Sequence, residues 1–329
     1  MSVATHFIAI DWGTSHLRAY LCLVSAYQPV QVIERVNNFG VKKIQSDFKT
    51  TLLESITPWI EQHGVLDILM IGQIGSSIGW KETQYLPCPV APSSVISAGV
   101  NFVCNGNPIT IFPGLSCQTL NGLFDAMRGE EMQLLGWLNL NPLHQQGRHL
   151  ICMPGTHTKW VLIENGIVQV FKTALTGELY DLLSNHSVLI QQTTSKAEFD
   201  FDAFNQGAQF IIDSDIDNFS HGLFSVRSEQ LFGDTSAKQA HCYLSGLLIA
   251  HDVKAALQAK EWDLSTLPPV TIIGSNHLSQ CFAKVLNYCQ ISTKLSSAYE
   301  ATLTGFEVVY RTLNPSTTAP LATPYKAKT

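Results

Sequence analysis

The 329 residues are 45% hydrophobic and only 14% charged, the balance of a chain with a large buried core rather than a disordered one. The formal net charge is −6 and no basic block exists, which argues against a nucleic acid or an anionic membrane as partner. The length suits two domains. No apolar run approaches the roughly 18 residues of a membrane span, and Met1–Thr5 has neither the basic flank nor the apolar stretch of a signal peptide. A cytoplasmic protein is therefore expected. The eight cysteines form no C-x-x-C pair, which predicts reduced thiols used as small core residues.

Phe7–Ile10 reads as a short buried strand that ends at Asp11-Trp12-Gly13-Thr14-Ser15. Leu17–Val24 resumes an alternating strand pattern, and Pro29–Val36 is a third strand. A strand, an acid and a Gly/Thr/Ser turn suit a metal-bound phosphate. The glycine lets the backbone approach closely, the N–H groups and hydroxyls face phosphate oxygens, and the carboxylate holds water on Mg²⁺. Phe48–His63 is predicted helical, with Pro58 positioned to kink it. Val65–Ile71 is a second buried strand, followed by the glycine-rich loop Gly72–Trp80. Gly75-Ser76-Ser77-Ile78-Gly79 within it matches G-x-S-x-G, but Pro87 and Pro89 leave little room for the helix that a nucleophilic Ser77 would need, so a pocket for a polar substrate fits better. Tyr85–Pro92, with three prolines, cannot be a central strand or a helix. Ile109–Phe112 is a short strand.

Asp125–Leu140 reads as a helix containing Arg128-Gly129-Glu130-Glu131. Adjacent carboxylates point about 100° apart on a helix. One could take a proton from a substrate hydroxyl while the other pairs with Arg128; an exposed acidic first turn favoured by the helix dipole is the alternative. The opening pattern then returns: strand His149–Met153, turn Pro154-Gly155-Thr156-His157-Thr158, strand Lys159–Ile163, the hairpin signal Asn165-Gly166 and strand Val168–Thr173. Thr176–Leu189 follows as a helix with Thr176 as N-cap. The shared order of elements marks an internal duplication and divides the chain into residues 1–125 and 126–313, with 314–329 a proline-rich flexible tail. Two such turns could grip the phosphates of one nucleotide from opposite sides.

Within 191–240 only Asp213-Ser214-Asp215-Ile216-Asp217 draws notice. It carries Asn218 and Phe224 where a calcium loop needs Gly and Glu, and reads as a solvated acidic loop. Ala240–Ala259 is helical. Val270–Ile273 is a strand running into Gly274-Ser275-Asn276, suited to the wall of an adenine site, and a helix starts near Leu278. Ala298–Leu313 is the last helix.

The duplicated strand and turn resembles the actin, chaperone and sugar-kinase superfamily. The segments Ala9–Ala19, Gly72–Trp80, Met127–Leu134, Met153–Trp160, Thr176–Leu179 with Asn185-His186-Ser187, and Leu244–Ile249 resemble the 2-dehydro-3-deoxygalactonokinase family from about residue 7 to about 310. The resemblance implies two ribonuclease-H-like α/β domains with mixed five-stranded sheets flanking a nucleotide cleft. Residues 1–125 would bind the sugar acid and the first phosphate element, and 126–313 the nucleotide. It implies ATP and Mg²⁺, and phosphorylation of the 6-hydroxyl of 2-dehydro-3-deoxy-D-galactonate. Asp11, Gly13, Thr14 and Ser15 would form the first phosphate element and Gly155, Thr156 and Thr158 the second. Gly274 and Ser275 would flank the adenosine. Glu131 would be the base with Glu130 in reserve, and Asp11 the organiser of Mg²⁺. Arg18, Ser76, Ser77, Trp80 and Lys159 would meet the sugar acid, because an α-keto acid wants a cation and hydroxyl donors. A homodimer stays open, as do the same fold acting on another 2-keto-3-deoxy acid or anhydro-sugar and a non-catalytic nucleotide sensor.

Overall fold

Phe7 and Ala9 face one side of the first strand and Ile8 and Ile10 the other, and all four are fully buried. A strand apolar on both faces belongs in the middle of a covered sheet. The structure, a computed structural model, describes residues 4–26, 28–44, 47–191, 199–214, 219–262, 265 and 268–315. In it β1 (Thr5–Trp12) is central, paired antiparallel to β2 (His16–Ser25) and parallel to β4 (Asp67–Ile71); β3 (Gln28–Phe39) lies outside β2. Helix α1 (Phe48–His63) runs unbroken through Pro58. Strand β5 (Tyr85–Pro87) is an edge strand, as its prolines require. Strands β6 (Val100–Cys104) and β7 (Asn107–Ile111) complete a six-stranded sheet of order β3-β2-β1-β4-β7-β6, one strand more than expected.

Strands β8 (Gly114–Gln118) and β9 (Phe124–Met127) pair antiparallel, with β5 on the other side of β8. Asp125 is therefore in a strand, a correction to the predicted helix. Gly129, with φ 111°, turns the chain, and α2 (Glu130–Leu140) begins only there. The five-stranded sheet is built from β10 (Arg148–Met153), β11 (Thr158–Glu164) and β12 (Ile167–Ala174), then α3 (Thr176–Asn185), α4 (Phe201–Ile212), α5 (Phe219–Phe232), α6 (Ala237–Leu257), β13 (Val270–Gly274), α7 (Asn276–Tyr288) and β14 (Thr293–Ser297), with α8 (Ala298–Leu313) last. Its order is β12-β11-β10-β13-β14, with β10–β13 and β13–β14 parallel. In chain order both sheets begin third, second, first, fourth; the second then adds its fifth strand and the first its sixth and fifth, so the duplication seen in the sequence is a duplication of the topology of four shared strands. Asn165 (φ 51°) and Gly166 (φ 77°) make the predicted tight hairpin.

The chain forms two units: residues 1–148, 163–170 and 298–329, and residues 149–162 and 171–297. The expected boundary at 125/126 falls inside the first. There α1 covers one face of the six-stranded sheet with Leu52, Ile56 and Trp59, while α2 and α8 cover the other with Met132, Leu135, Leu303, Phe306 and Val309. Helices α2 and α8 approach closely. A Cβ on Gly136 would overlap the Ala301 carbonyl, and one on Gly305 that of Met132. In the second unit Gly207 and Gly246 bring α4 against α6 in the same way. Neither α4 nor α5 is legible as a motif in 191–240. Asp215, Asp217 and Asn218 of the acidic loop, and the tail from residue 316, lie outside the described residues. All eight cysteines are free and six are buried, as expected. Among the described residues no helix is long and apolar enough to cross a membrane.

Candidate active site

In the first unit, β1 and β4 run parallel and end side by side, the place where α/β sheets put ligands. Asp11 ends β1. Its carboxylate accepts from Arg18 Nη1 at 2.9 Å, and burial pushes its pKa above the ordinary value while Arg18 opposes. Gly72, after β4, has φ 91°. A Cβ there would meet the Trp12 carbonyl oxygen at 2.8 Å and Asp11 Oδ1 at 3.4 Å. Gly129 lies against it, its own Cβ direction 3.6 Å from Gly72 Cα. These two left-handed glycines bring the start of α2 to the end of β1.

Glu131 is completely buried there. Oε2 accepts from the Gly129 N–H at 2.7 Å, and Oε1 has no hydrogen-bond partner. Burial, then the neighbouring Glu130, push its pKa up to about 8; backbone N–H bonds and Arg128 act the other way. Glu130 instead accepts from the Arg128 backbone N–H at 3.0 Å. Among the described residues the Arg128 guanidinium pairs with no carboxylate, which the sequence had suggested it would. It donates to the Thr83 hydroxyl, to the Thr83 carbonyl at 3.0 Å and to the Tyr85 hydroxyl at 3.2 Å.

The first turn is braced from behind. Val41 and Lys42 donate from the backbone to the carbonyls of Gly13 and Thr14 at 3.0 and 3.2 Å, and Gly40 N–H reaches Ser15 at 3.1 Å. Any Cβ on Gly40 would overlap that turn. The amides of Thr14 and Ser15 make no backbone hydrogen bond among the described residues. A Cβ on Gly13 would find nothing nearer than His16 O at 3.6 Å, so the chain itself does not require glycine there.

In the second unit, parallel β10 and β13 end together. Gly155 has the same freedom as Gly13, its nearest atom being His157 O at 3.8 Å. The first turn of α3 packs on this loop. Gly177 leaves no room for a Cβ beside Gly155 O and Thr156 Cα, and Glu178 N–H donates to Thr156 O at 2.9 Å. Thr156 is exposed, while Thr158 is 1% exposed and its hydroxyl faces Asp252 without forming a full hydrogen bond. Asp252 accepts from Trp160 Nε1 at 2.9 Å and from the Thr176 hydroxyl at 2.5 Å, and burial raises its pKa to about 6. Thr176 is thus not the N-cap; Leu175 holds that position, without a side-chain cap. Gly274 is crowded by Ser279 Oγ (2.8 Å) and Pro154 (3.3 Å), and Ser275 caps α7 at the surface beside the loop.

Three of the expected sugar-acid contacts are otherwise engaged. Lys159 is buried, donating to Thr173 Oγ1 at 2.9 Å. Ser76 donates to its own turn at Gln73 O, 2.7 Å away. Trp80 packs edge-on against Phe102. Arg18 and Ser77 are exposed, and no helix follows Ser77, which removes the hydrolase alternative. Asp252, His157, Gly72 and Gly129 are the site residues that the sequence reading missed. For a metal, no group of three or more His, Cys, Asp or Glu among the described residues could hold an ion alone. Asp11 does suit an ion that arrives on phosphates and keeps its waters.

Two sheets that share the order of four strands, each with a Gly/Thr turn at the ends of its central strands, define a duplicated α/β protein. The chain belongs to the 2-keto-3-deoxy-galactonokinase family, whose profile matches residues 11–309. It is 30% identical over 322 residues to Probable 2-dehydro-3-deoxygalactonokinase DgoK1 of Rhizobium meliloti (strain 1021), covering 96% of this chain and 100% of that protein. It is 36% identical over 253 residues to 2-dehydro-3-deoxygalactonokinase of Escherichia coli (strain K12), covering 76% and 80%. A crystal structure assigned as a 2-dehydro-3-deoxygalactonokinase from Sinorhizobium meliloti superposes with a TM-score of 0.76 at 29% identity, over 94% of this chain and 99% of that one.

Proposed function

We propose that this protein is a cytoplasmic kinase that transfers the γ-phosphoryl group of ATP to the 6-hydroxyl of 2-dehydro-3-deoxy-D-galactonate. The observation that carries the chemistry is Glu131, a fully buried carboxyl with a pKa of about 8 and an open Oε1, on a helix start held next to Asp11. A general base works best when its pKa lies near the working pH. The substrate oxygen attacks the γ-phosphorus, its proton passes to Glu131, and the bond to the β-phosphate oxygen breaks to leave ADP. Burial keeps water from competing for the phosphoryl group. The amides of Thr14 and Ser15 supply donors in one unit, and the Gly155-Thr156 loop with the α3 N-terminus supplies them in the other. A nucleotide-borne Mg²⁺, near Asp11, would neutralise phosphate charge. Arg18 and Ser77 remain candidates for the sugar acid. Their weight is lower, since Arg18 is already paired with Asp11.

The reading is tested by ADP release with a panel of 2-keto-3-deoxy sugar acids, with the product examined by phosphorus NMR. ADP release with the galactonate-derived acid and phosphate on C6 is expected. Tight ATP binding with no ADP from any acid would overturn the reading in favour of a sensor.

A further inference from the structure

The second turn carries a pair that the reaction above does not use. His157 Nε2 and Glu178 Oε2 are 2.5 Å apart, and both side chains are 41% exposed. An ion pair that exposed adds little to stability, so holding the fold together is a poor explanation for it. We infer that His157, oriented by Glu178, is the phosphate-contacting cation of the second turn; this rests on the nucleotide reading of that turn.

The argument starts from alternation. Thr158 opens β11 facing inward to Asp252, and Lys159 is buried as well, so neither cation nor hydroxyl from those positions reaches the loop surface. His157 is the last residue before them, and its side chain is part-exposed. A carboxylate only accepts, so Nε2 carries the hydrogen in its bond to Glu178. That leaves Nδ1, which makes no hydrogen bond among the described residues. With a hydrogen on Nδ1 as well, the ring donates from that nitrogen. Glu178 fixes the ring from a rigid base, since its own N–H is bonded to Thr156 O at 2.9 Å and Gly177 is wedged against Gly155. A backing carboxylate orients a histidine in this way at many ligand sites. Gly155 next to it has space that the chain does not fill. The chemistry that fits a small open backbone loop with one oriented cation is a phosphate oxygen of the nucleotide.

Calorimetric titration with ADP, and with adenosine as the ligand lacking phosphates, tests this on wild type, His157→Gln, His157→Lys and Glu178→Gln. His157→Gln is expected to weaken ADP roughly 10-fold, the scale of one charge-assisted hydrogen bond, and to leave adenosine and Tm unchanged. His157→Lys should recover most of the loss, and Glu178→Gln should show a smaller one. Unchanged ADP affinity in His157→Gln, or equal losses for ADP and adenosine, would overturn the inference. A wild-type protein that binds neither ADP nor ATP would remove the nucleotide reading and this inference with it.

Discussion

At the end of β1 the turn begins with Asp11, paired to Arg18; at the same place after β10 stands Met153, buried and apolar. Charge reaches the second turn later, through His157 and Glu178, while its acid, Asp252, lies underneath and comes from a distant helix. The backbones are alike, both carrying a glycine with unused space on the open side. On the proposed reading, duplicated topology fixes where phosphates would sit but not how their charge would be met: the first turn would take an ion carried on the nucleotide, and the second direct donors.

The largest effect expected from breaking this arrangement is at the proposed base, Glu131, in the first unit. Glu131→Gln should keep ATP affinity and lower turnover by roughly 10²- to 10⁴-fold, measured by steady-state ADP release. Asp11→Asn comes next, with a loss of roughly 10- to 100-fold and a higher Mg²⁺ requirement, since it would act through the ion's water shell; the same Asp11→Asn change should not alter adenosine binding. Stability against pH sharpens the contrast between the two buried acids. Glu131 (ordinary value 4.5, here about 8) and Asp252 (3.8, here about 6) both bind protons more tightly folded than unfolded. Each therefore withdraws stability as pH rises through its window, up to about 8 for Glu131 and about 6 for Asp252. For Glu131 the loss is roughly 5 kcal/mol. Chemical denaturation across pH 5–9 should show Glu131→Gln flattening the upper window and becoming more stable than wild type above it.

Much of this was legible in the sequence because its signals are local. The strands around both turns, the helix over Phe48–His63 despite Pro58, the last helix and the Asn165-Gly166 hairpin follow from periodicity and turn chemistry within a few residues. The start of α2 was misplaced because Phe124–Met127 alternates as a strand and only the left-handed Gly129 separates it from the helix. That Lys159 and Thr158 are buried does not show in the sequence, because β11 is buried on both faces and its pattern does not say which side chains face out. Asp252 was missed because its partners Trp160 and Thr176 are 92 and 76 residues away. Such pairings exist only in the folded chain.

Gly13 and Gly155, the two glycines that the chain leaves unconstrained, are where phosphate would approach most closely. Gly13→Ala and Gly155→Ala should fold with wild-type Tm, because a methyl group meets nothing closer than 3.6 and 3.8 Å. Both should lose nucleotide affinity roughly 10-fold or more, because the methyl would stand where phosphate approaches. Gly177→Ala, which has no such space, should instead lower Tm. Nucleotide titration of the first two variants is the decisive measurement. Wild-type affinity in either, with the fold intact, would contradict the claim that both turns hold phosphate.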